Sequence, residues 1–556
     1  MSVLQTAINT IDKALASKEI GTTVAVRFVA SLTADHGPLE NFTATGLYQI
    51  SRWFQSKPDR VHVLGNVKSG HLCVMARFEN GGTGLVTAST SGVGTPQLEI
   101  VLTGNHGLLS WEANDIIEPL VEKAGEQKLD AGAADLLKQI RQSVDAKAPV
   151  VGGKVHSRRS SLATGATVAT IQPAAPTKPP FGLLLVSGDH THQPGYAQEL
   201  LNDKRCKPIG LVDEAEVDPD RKKLNEQLAK RMGIPVLPNL QEALARKDVQ
   251  VVSICAEPRR RGRIILAAAK ARKHLYLDKP FTISVKEAEL IEQQVAKSQV
   301  VAHMFSQVRS DVAVRIRKAI ESKELGTLLG FHTDLTFAKG PAGAAQLGKP
   351  RVESQPPKIF EVMDSKRELT NIGVYPLVLL LWLLNKRVRN LYATTGNYFF
   401  AEHQKNDMED FGQILMQLDG ELTASISVGR TGWYSHPGGS HNRTYLVGSK
   451  RTLIIDAHRP RVEIWSDSPA WSPPGRNPTD PMGMWDTPPG SPYKTTPRND
   501  WFAPPATVVS DFTYFLDCVE KGRQSDVSVS IAADTSEILL AAYQSAATGD
   551  VVELKR

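Results

Sequence analysis

From residue 182 onward, short apolar runs alternate with helical patterns. LLLV at 183–186, IGLV at 209–212, VQVVSIC at 249–255, HLYL at 274–277 and VVAHMF at 300–305 read as strands buried on both faces. Between them, residues 220–232, 261–272 and 284–299 repeat their apolar positions at helical spacing. Strand–helix alternation of this kind predicts a doubly wound parallel sheet of the nucleotide-binding type over residues 181–305. After residue 327 the period changes to two, as in 328–337 and 420–428, with one amphipathic helix at 372–384 between them. That predicts an α+β domain built mainly on an antiparallel sheet, over residues 306–556.

The N-terminal part repeats the second of these patterns. Residues 13–22 read KALASKEIGT and residues 318–327 read KAIESKELGT, identical at seven of ten positions. Both continue into an alternating strand, and both then reach a Gly-x-Tyr before a helix: Gly46 and Tyr48 first, Gly373 and Tyr375 second. The offset grows from 305 to 327 between these anchors, which places 22 extra residues in the second copy, most simply in the loop at 339–368. Residues 1–145 thus read as a truncated duplicate of the antiparallel domain, without a nucleotide-binding domain of its own. Residues 146–180, rich in Ala, Thr, Ser, Gly and Pro, read as a linker. A Pro-rich excursion at 466–505 carries Trp471, Trp485 and Trp501, which suggest that it packs on the domain.

Composition adds little. The chain has 556 residues, 41% hydrophobic and 22% charged, which excludes a mostly disordered or coiled-coil protein. The longest apolar run, 377–384, is too short to cross a bilayer, and the N-terminus lacks a signal-peptide pattern, so a cytoplasmic protein is expected. A net charge of +6 is small for this length and suggests no nucleic-acid partner. The cysteines at 73, 206, 255 and 518 show no CxxC spacing, and no metal site is expected.

Four segments give the C-terminal part its resemblance to the glucose–fructose oxidoreductase / inositol dehydrogenase family (Gfo/Idh/MocA). HLYLDKPF at 274–281 is similar to the family's strand ending in Glu-Lys-Pro, with Asp278 in place of Glu. Residues 318–327 match the helix ending in Leu-Gly that opens the second domain. LTNIGVYP at 369–376 resembles the Asp-x-Gly-x-His motif in its Tyr-Pro variant, with Asn371 for the Asp, and residues 533–552 look like the C-terminal helix and last strand. The resemblance implies a Rossmann-type domain that binds NAD or NADP, and a carbohydrate-like substrate. It places Lys279, with Pro280 after it, beside the nicotinamide and the substrate hydroxyl, and gives Tyr375 the acid/base position. A tyrosine whose pKa a nearby ammonium lowers could exchange that proton. Asn371 and, from its family position, Arg309 are the other expected substrate contacts, and Asp278 and Pro258 further cofactor contacts.

The glycine fingerprint departs from the family. Gly188-Asp189-His190-Thr191-His192-Gln193 keeps only its first glycine, and side chains at 190 and 193 would crowd the pyrophosphate path. His190 either contacts the cofactor or belongs, with His192, to a polar turn. Asp213, 25 residues after Gly188, either binds the adenosine ribose, favouring NAD, or serves the turn at its strand end. Arg259, Arg260, Arg261 and Arg263 form either an anion site or a solvated basic turn, and Gly262 stands where the family has a His. Two functions follow: an NAD(P)-dependent oxidoreductase of sugars, polyols or inositol-like alcohols, or a non-catalytic binding or assembly protein with a degenerate dinucleotide site. The duplicate would make an intramolecular pseudo-dimer, a homo-oligomer, or both.

Overall fold

The computed structural model describes residues 3–33, 37–90, 97–113, 129–162, 169–188, 192–282, 284–337, 345–348, 367–431, 440–456, 461–466, 498–501 and 509–556. The N-terminal part runs α1 (Val3–Ala16), β1 (Thr23–Ser31), α2 (Leu39–Phe54), β2 (Pro58–Asn66), β3 (His71–Phe78), β4 (Thr83–Ser89), β5 (Gln97–Gly104), β6 (Leu108–Ala113), α3 (Ala131–Ala146), β7 (Val150–Val151) and β8 (Lys154–Val155). Its sheet has the order β6-β5-β1-β4-β3-β2-β7-β8. The expected linker is not structureless. Its β7 pairs with β2, and β9 (Arg159–Ser161) adds to the sheet of the C-terminal domain, so the N-terminal unit extends past the expected boundary at 145.

The middle domain comprises β10 (Phe181–Val186), α4 (Gln193–Asn202), β11 (Cys206–Val212), α5 (Pro219–Met232), α6 (Leu240–Ala245), β12 (Val251–Ile254), α7 (Pro258–Lys270), β13 (His274–Leu277), α8 (Val285–Ser298) and β14 (Ala302–Met304). All its pairings are parallel, in the order β11-β10-β12-β13-β14, which puts the ligand crevice at the strands' carboxyl ends. Local chemistry sets the helix starts. Asp218 accepts a hydrogen bond from the Arg221 N–H ahead of Pro219, and Ser284 accepts one from Glu287.

The C-terminal domain follows with α9 (Asp311–Glu321), β15 (Leu328–Phe337), α10 (Glu368–Asn371), α11 (Val374–Leu384), β16 (Val388–Gly396), α12 (Ala401–Lys405), β17 (Phe411–Leu418), β18 (Thr423–Arg430), β19 (Ser440–Gly448), β20 (Thr452–Asp456), β21 (Arg461–Ser466), β22 (Arg498–Trp501), α13 (Asp511–Lys521), α14 (Val529–Thr548) and β23 (Val551–Glu553). Most of the excursion at 466–505, Trp471 and Trp485 included, lies outside the described residues. Its end, β22, pairs antiparallel with β21.

The order β20-β19-β15-β18-β17-β16-β23 mirrors β6-β5-β1-β4-β3-β2-β7 strand for strand, with β1 parallel to β4 and β15 parallel to β18. The likeness reaches single hydrogen bonds. Lys18 and Lys323 both take positive φ, at 59° and 61°, and Gly21 and Gly326 each donate back to them. Ser143 Oγ donates to the Ala148 carbonyl and accepts from Val63, and Ser545 does the same with Asp550 and Ala393.

The two sheets pack face to face, with helices on their outer sides. Val26 and Phe28 of β1 face the N-terminal helices, whereas Val24 and Ala25 meet Tyr398, Phe400 and Phe411 of the C-terminal domain. Arg27 reaches across to Asp334 at 2.7 Å with both side chains buried, and Tyr398 donates to the Gly81 carbonyl. His62, His71 and His332 are buried at this junction. Burial holds His62 down to about 3 and His71 to about 4, and burial, His71 and Arg27 hold His332 well below its usual value. The native histidines stay neutral where unfolded ones, near 6.5, take up protons. Their stabilising contribution is therefore complete above pH 6.5 and is lost as the pH falls towards 4, by up to about 1.4 kcal/mol per pH unit for each histidine. Urea titrations between pH 7 and 4.5, with His71→Gln flattening the slope, check this.

Candidate functional site

Lys279 follows β13, at the carboxyl edge of the parallel sheet, and its ammonium is almost fully enclosed. Nζ donates to the Asn371 carbonyl at 2.9 Å and to Asn371 Oδ1 at 2.6 Å, joining the parallel-sheet domain to α10. The Tyr375 ring centroid lies 5.1 Å from the same nitrogen. Burial lowers the Lys279 pKa to about 8; Asp278 opposes the shift and Arg261 adds to it. Tyr375 behaves otherwise than expected. Burial first, and Asp278 second, push its phenol upward, so the neighbouring lysine does not produce an acidic tyrosine.

Asp278 lies beneath the site rather than facing a cofactor. It and Arg261 are each 1% exposed and pair at 3.0 Å. His192 Nδ1 at 2.8 Å and the Tyr196 hydroxyl at 2.9 Å share its other oxygen. Arg261 also donates to the carbonyls of Ala256, Asp278 and Pro280, fixing the turn that carries Lys279. Pro258 is buried at the first position of α7.

Asp213 is likewise committed. Its Oδ1 accepts from Arg260 at 2.5 Å and from the Glu214 N–H at 2.9 Å. Its Oδ2 accepts from Asn225 at 2.9 Å and from Arg260 at 3.2 Å. All its acceptor positions are used, so the expected ribose contact, and the preference for NAD drawn from it, do not follow. The basic segment is neither a solvated turn nor a free anion site: Arg260 and Arg261 are buried and ion-paired in the first turn of α7, while Arg259 and Arg263 reach solvent. Arg309 is engaged by Asp526 and stacks 3.4 Å from the Tyr514 ring centroid. Among the described residues, none of its contacts is with Lys279, Asn371 or Tyr375.

The two glycines pack differently. A Cβ at Gly188 would meet Asn225 Cα at 2.5 Å, so α5 packs directly on that backbone, whereas one at Gly262 would meet the carboxyl end of the flexible Glu287 side chain, which can swing aside. His190 lies outside the described residues. Gln193 does not crowd the crevice: it is fully buried, donates to the Val186 and Ser253 carbonyls, and accepts from the Ser253 hydroxyl. It thus fills the gap between β10 and β12. Beyond it an open cleft of about 820 Å³, lined by Glu214, Asp218, Arg221, Glu257, Arg259 and Arg263, lies past the ends of β11 and β12. Its position and size fit the adenosine half of a dinucleotide. The motifs gave no sign of Glu368, the buried residue of α10 that accepts from Asn371, or of Arg430, which pairs with it from the end of β18, because burial and a partner distant in sequence define them.

A parallel-sheet domain of the nucleotide-binding type thus has its strand-end lysine closed over by an α+β domain. Residues 196–306 match the oxidoreductase family with an NAD-binding Rossmann fold, and residues 313–454 match the GFO/IDH/MocA C-terminal domain. Over residues 196–306 and 313–454 the chain is thus similar to the two domains of the Gfo/Idh/MocA oxidoreductases. It is 19% identical over 226 residues to myo-inositol 2-dehydrogenase of Thermotoga maritima, a match covering 41% of this chain and 62% of that protein. It is 24% identical over 229 residues to the uncharacterized oxidoreductase YrbE of Bacillus subtilis, covering 40% and 60%. The chain thus spans less than two thirds of the length of either relative. Among solved structures, levoglucosan dehydrogenase with NADH and levoglucosan aligns with a TM-score of 0.50 at 18% identity, covering 67% of this chain and 99% of that one. An NAD-binding oxidoreductase from Klebsiella pneumoniae aligns at 0.50 and 15%, covering 67% and 98%, which carries the fold alone. No described helix is long and apolar enough to cross a membrane.

Asp213→Ala is expected to lower stability by about 1–2 kcal/mol, because it removes the acceptor of Asn225 and of two Arg260 bonds while Glu257 and Glu214 still pair Arg260. It should leave the ratio of NAD to NADP affinities within about threefold of the parent (under about 0.7 kcal/mol). Urea unfolding and cofactor titration measure the two effects.

Proposed function

We propose that the chain is an NAD(P)-dependent dehydrogenase of a sugar, polyol or inositol-like alcohol, with Lys279 as the group that takes the hydroxyl proton. The observation that carries this reading is the enclosed Lys279 ammonium at the carboxyl edge of the parallel sheet, with its pKa brought to about 8. A base poised near working pH combines a populated neutral form with sufficient driving force. When bound, the nicotinamide accepts the hydride that leaves the carbinol carbon as the carbonyl forms. The O–H proton passes to Lys279 Nζ. Asn371 holds that nitrogen through two contacts, and the Asp278–Arg261 pair fixes the turn behind it. Tyr375, kept protonated by burial, walls the site and donates to the substrate oxygen. The cofactor cleft carries both arginines and acids, which leaves either NAD or NADP as the occupant.

Activity in the oxidising direction should rise tenfold per pH unit and level off above about pH 8. Lys279→Ala should lower kcat by about 10²–10⁴, while Tyr375→Phe should cost about tenfold or less. Absence of turnover across a panel of sugars and polyols, together with no cofactor binding at millimolar concentration, would sink the reading.

We also infer that residues 3–151 are a second copy of the C-terminal α+β domain, serving as a built-in partner for its sheet. The shared strand order, the matching turn bonds and the buried Arg27–Asp334 pair support this. Arg27→Glu should put two carboxylates together, open the apolar face around Phe400 and Phe411, and turn the chain into a self-associating species by light scattering. Arg27→Glu with Asp334→Arg should restore the parent mass.

A further inference from the structure

Lys279 is placed by a single side chain, and that side chain has two possible orientations. An asparagine amide turned over would present its NH₂ group to the lysine and lose the 2.6 Å contact. The neighbour that decides the orientation is Glu368, three residues earlier on the same turn of α10 and fully buried. Its Oε2 accepts from Asn371 Nδ2 at 3.4 Å. A carboxylate has no hydrogen to offer, so only the NH₂ end of the amide can face it, and Oδ1 is left facing Lys279. The other oxygen, Oε1, lies 2.8 Å from Arg430 Nε and 3.6 Å from His403 Nε2, yet receives no directed hydrogen bond. Arg430, a quarter exposed at the end of β18, compensates the charge without taking over the oxygen that orients Asn371.

The geometry points to Glu368 as a positioning residue: a buried carboxylate that fixes the Asn371 amide and, through it, the seat of Lys279. It touches neither the lysine nor the crevice. This rests on the reading of Lys279 as the proton-transferring group. The carboxylate that sequence position 371 lacks is thus present one helical turn away, acting through an amide.

The charged groups around Lys279 are Asp278 and Glu368, which favour its ammonium, and Arg261 and Arg430, which oppose it, with the Tyr375 ring alongside. His403 faces Glu368. Neutralising Glu368 therefore favours the free amine, and removing Arg430 favours the ammonium. Glu368→Gln should lower kcat by about ten- to a hundredfold with little change in cofactor KM, and move the midpoint of the kcat–pH profile down by about half a unit or more. Glu368→Asp should keep the parent midpoint. Arg430→Met, at a more exposed site, should move the midpoint up, which keeps a test available if Glu368→Gln does not fold. The titration of Lys279 is also read without turnover, by competitive acetylation mapped to its peptide by mass. A shifted Lys279 titration in a protein that turns nothing over would overturn the dehydrogenase reading and leave the role of Glu368 standing. Folded Glu368→Gln with unmoved acetylation and kcat midpoints, or Arg430→Met moving them down, would overturn the role of Glu368.

Discussion

The site depends on a carboxylate that has no water. Asp278 is buried at the end of β13, where desolvation alone would drive it to take up a proton. Arg261, then His192 and Lys279, more than offset that penalty and hold Asp278 well below the usual carboxylate range. The arrangement ties together three elements: Arg261 comes from α7, His192 and Tyr196 from the start of α4, and Lys279 from the residue after Asp278. Removing any one partner leaves a charge or donor unpaired in the interior, which costs far more than the pair itself contributes. The turn that presents Lys279 is held in place by this requirement.

A similar exchange explains the cofactor crevice. Where the family sequence pattern relies on glycines for close approach, this chain uses one glycine and several long polar side chains. Gly188 lets Asn225 approach its backbone, and Asn225 in turn holds Asp213. Gln193 fills the space between β10 and β12 and satisfies two strand-end carbonyls. Arg260 neutralises Asp213 from the first turn of α7, with Glu214 sharing its Nη1 and Glu257 accepting from its Nε. Arginine tolerates this because its planar fork serves several acceptors at once. The crevice floor is therefore internally neutralised, and at the rim Arg263 is held by Glu214 through two hydrogen bonds while Arg259 reaches solvent.

What was legible in the sequence follows the range of the physics involved. Strand and helix periods are local, so the parallel-sheet domain and most of the second domain could be read directly. Turn chemistry is local too: the Ser-Lys-Glu-x-Gly segments at 17–21 and 322–326 fold into the same bonded turn, which is why the repeat was visible there first. Lys279 and Asn371 were found through motif resemblance, and they do meet. The surroundings of Asp213, Asp278, Arg309 and Tyr375 were not legible, for one reason. Each depends on what burial brings beside it, and the partners of the first three, Arg260, Arg261 and Asp526, lie 47, 17 and 217 residues away. A strand-end aspartate reads the same whether it faces a ribose or a guanidinium.

The helices that back the two sheets differ in what they meet. α14 lies between its own sheet and α8 of the parallel-sheet domain, and it is buried on nearly every side, from Val529 to Ser545. α3 packs on α2 and β2 through the buried Ala133, Leu136, Ile140 and Ser143, with Leu137 and Val144 beside them. Its other face carries Asp135, Lys138, Arg141 and Gln142, a solvated surface. That polar face is fitted to water, while the sheet-facing side of the same unit is apolar and charge-paired. Between the sheets the burial is compact: Val24 and Ala25 meet Tyr398, Phe399, Phe400 and Phe411, Cys73, Met75 and Leu85 meet Tyr392 and Leu415, and Arg27 pairs with Asp334 across the junction. Each sheet therefore covers an apolar patch of the other that would otherwise meet water.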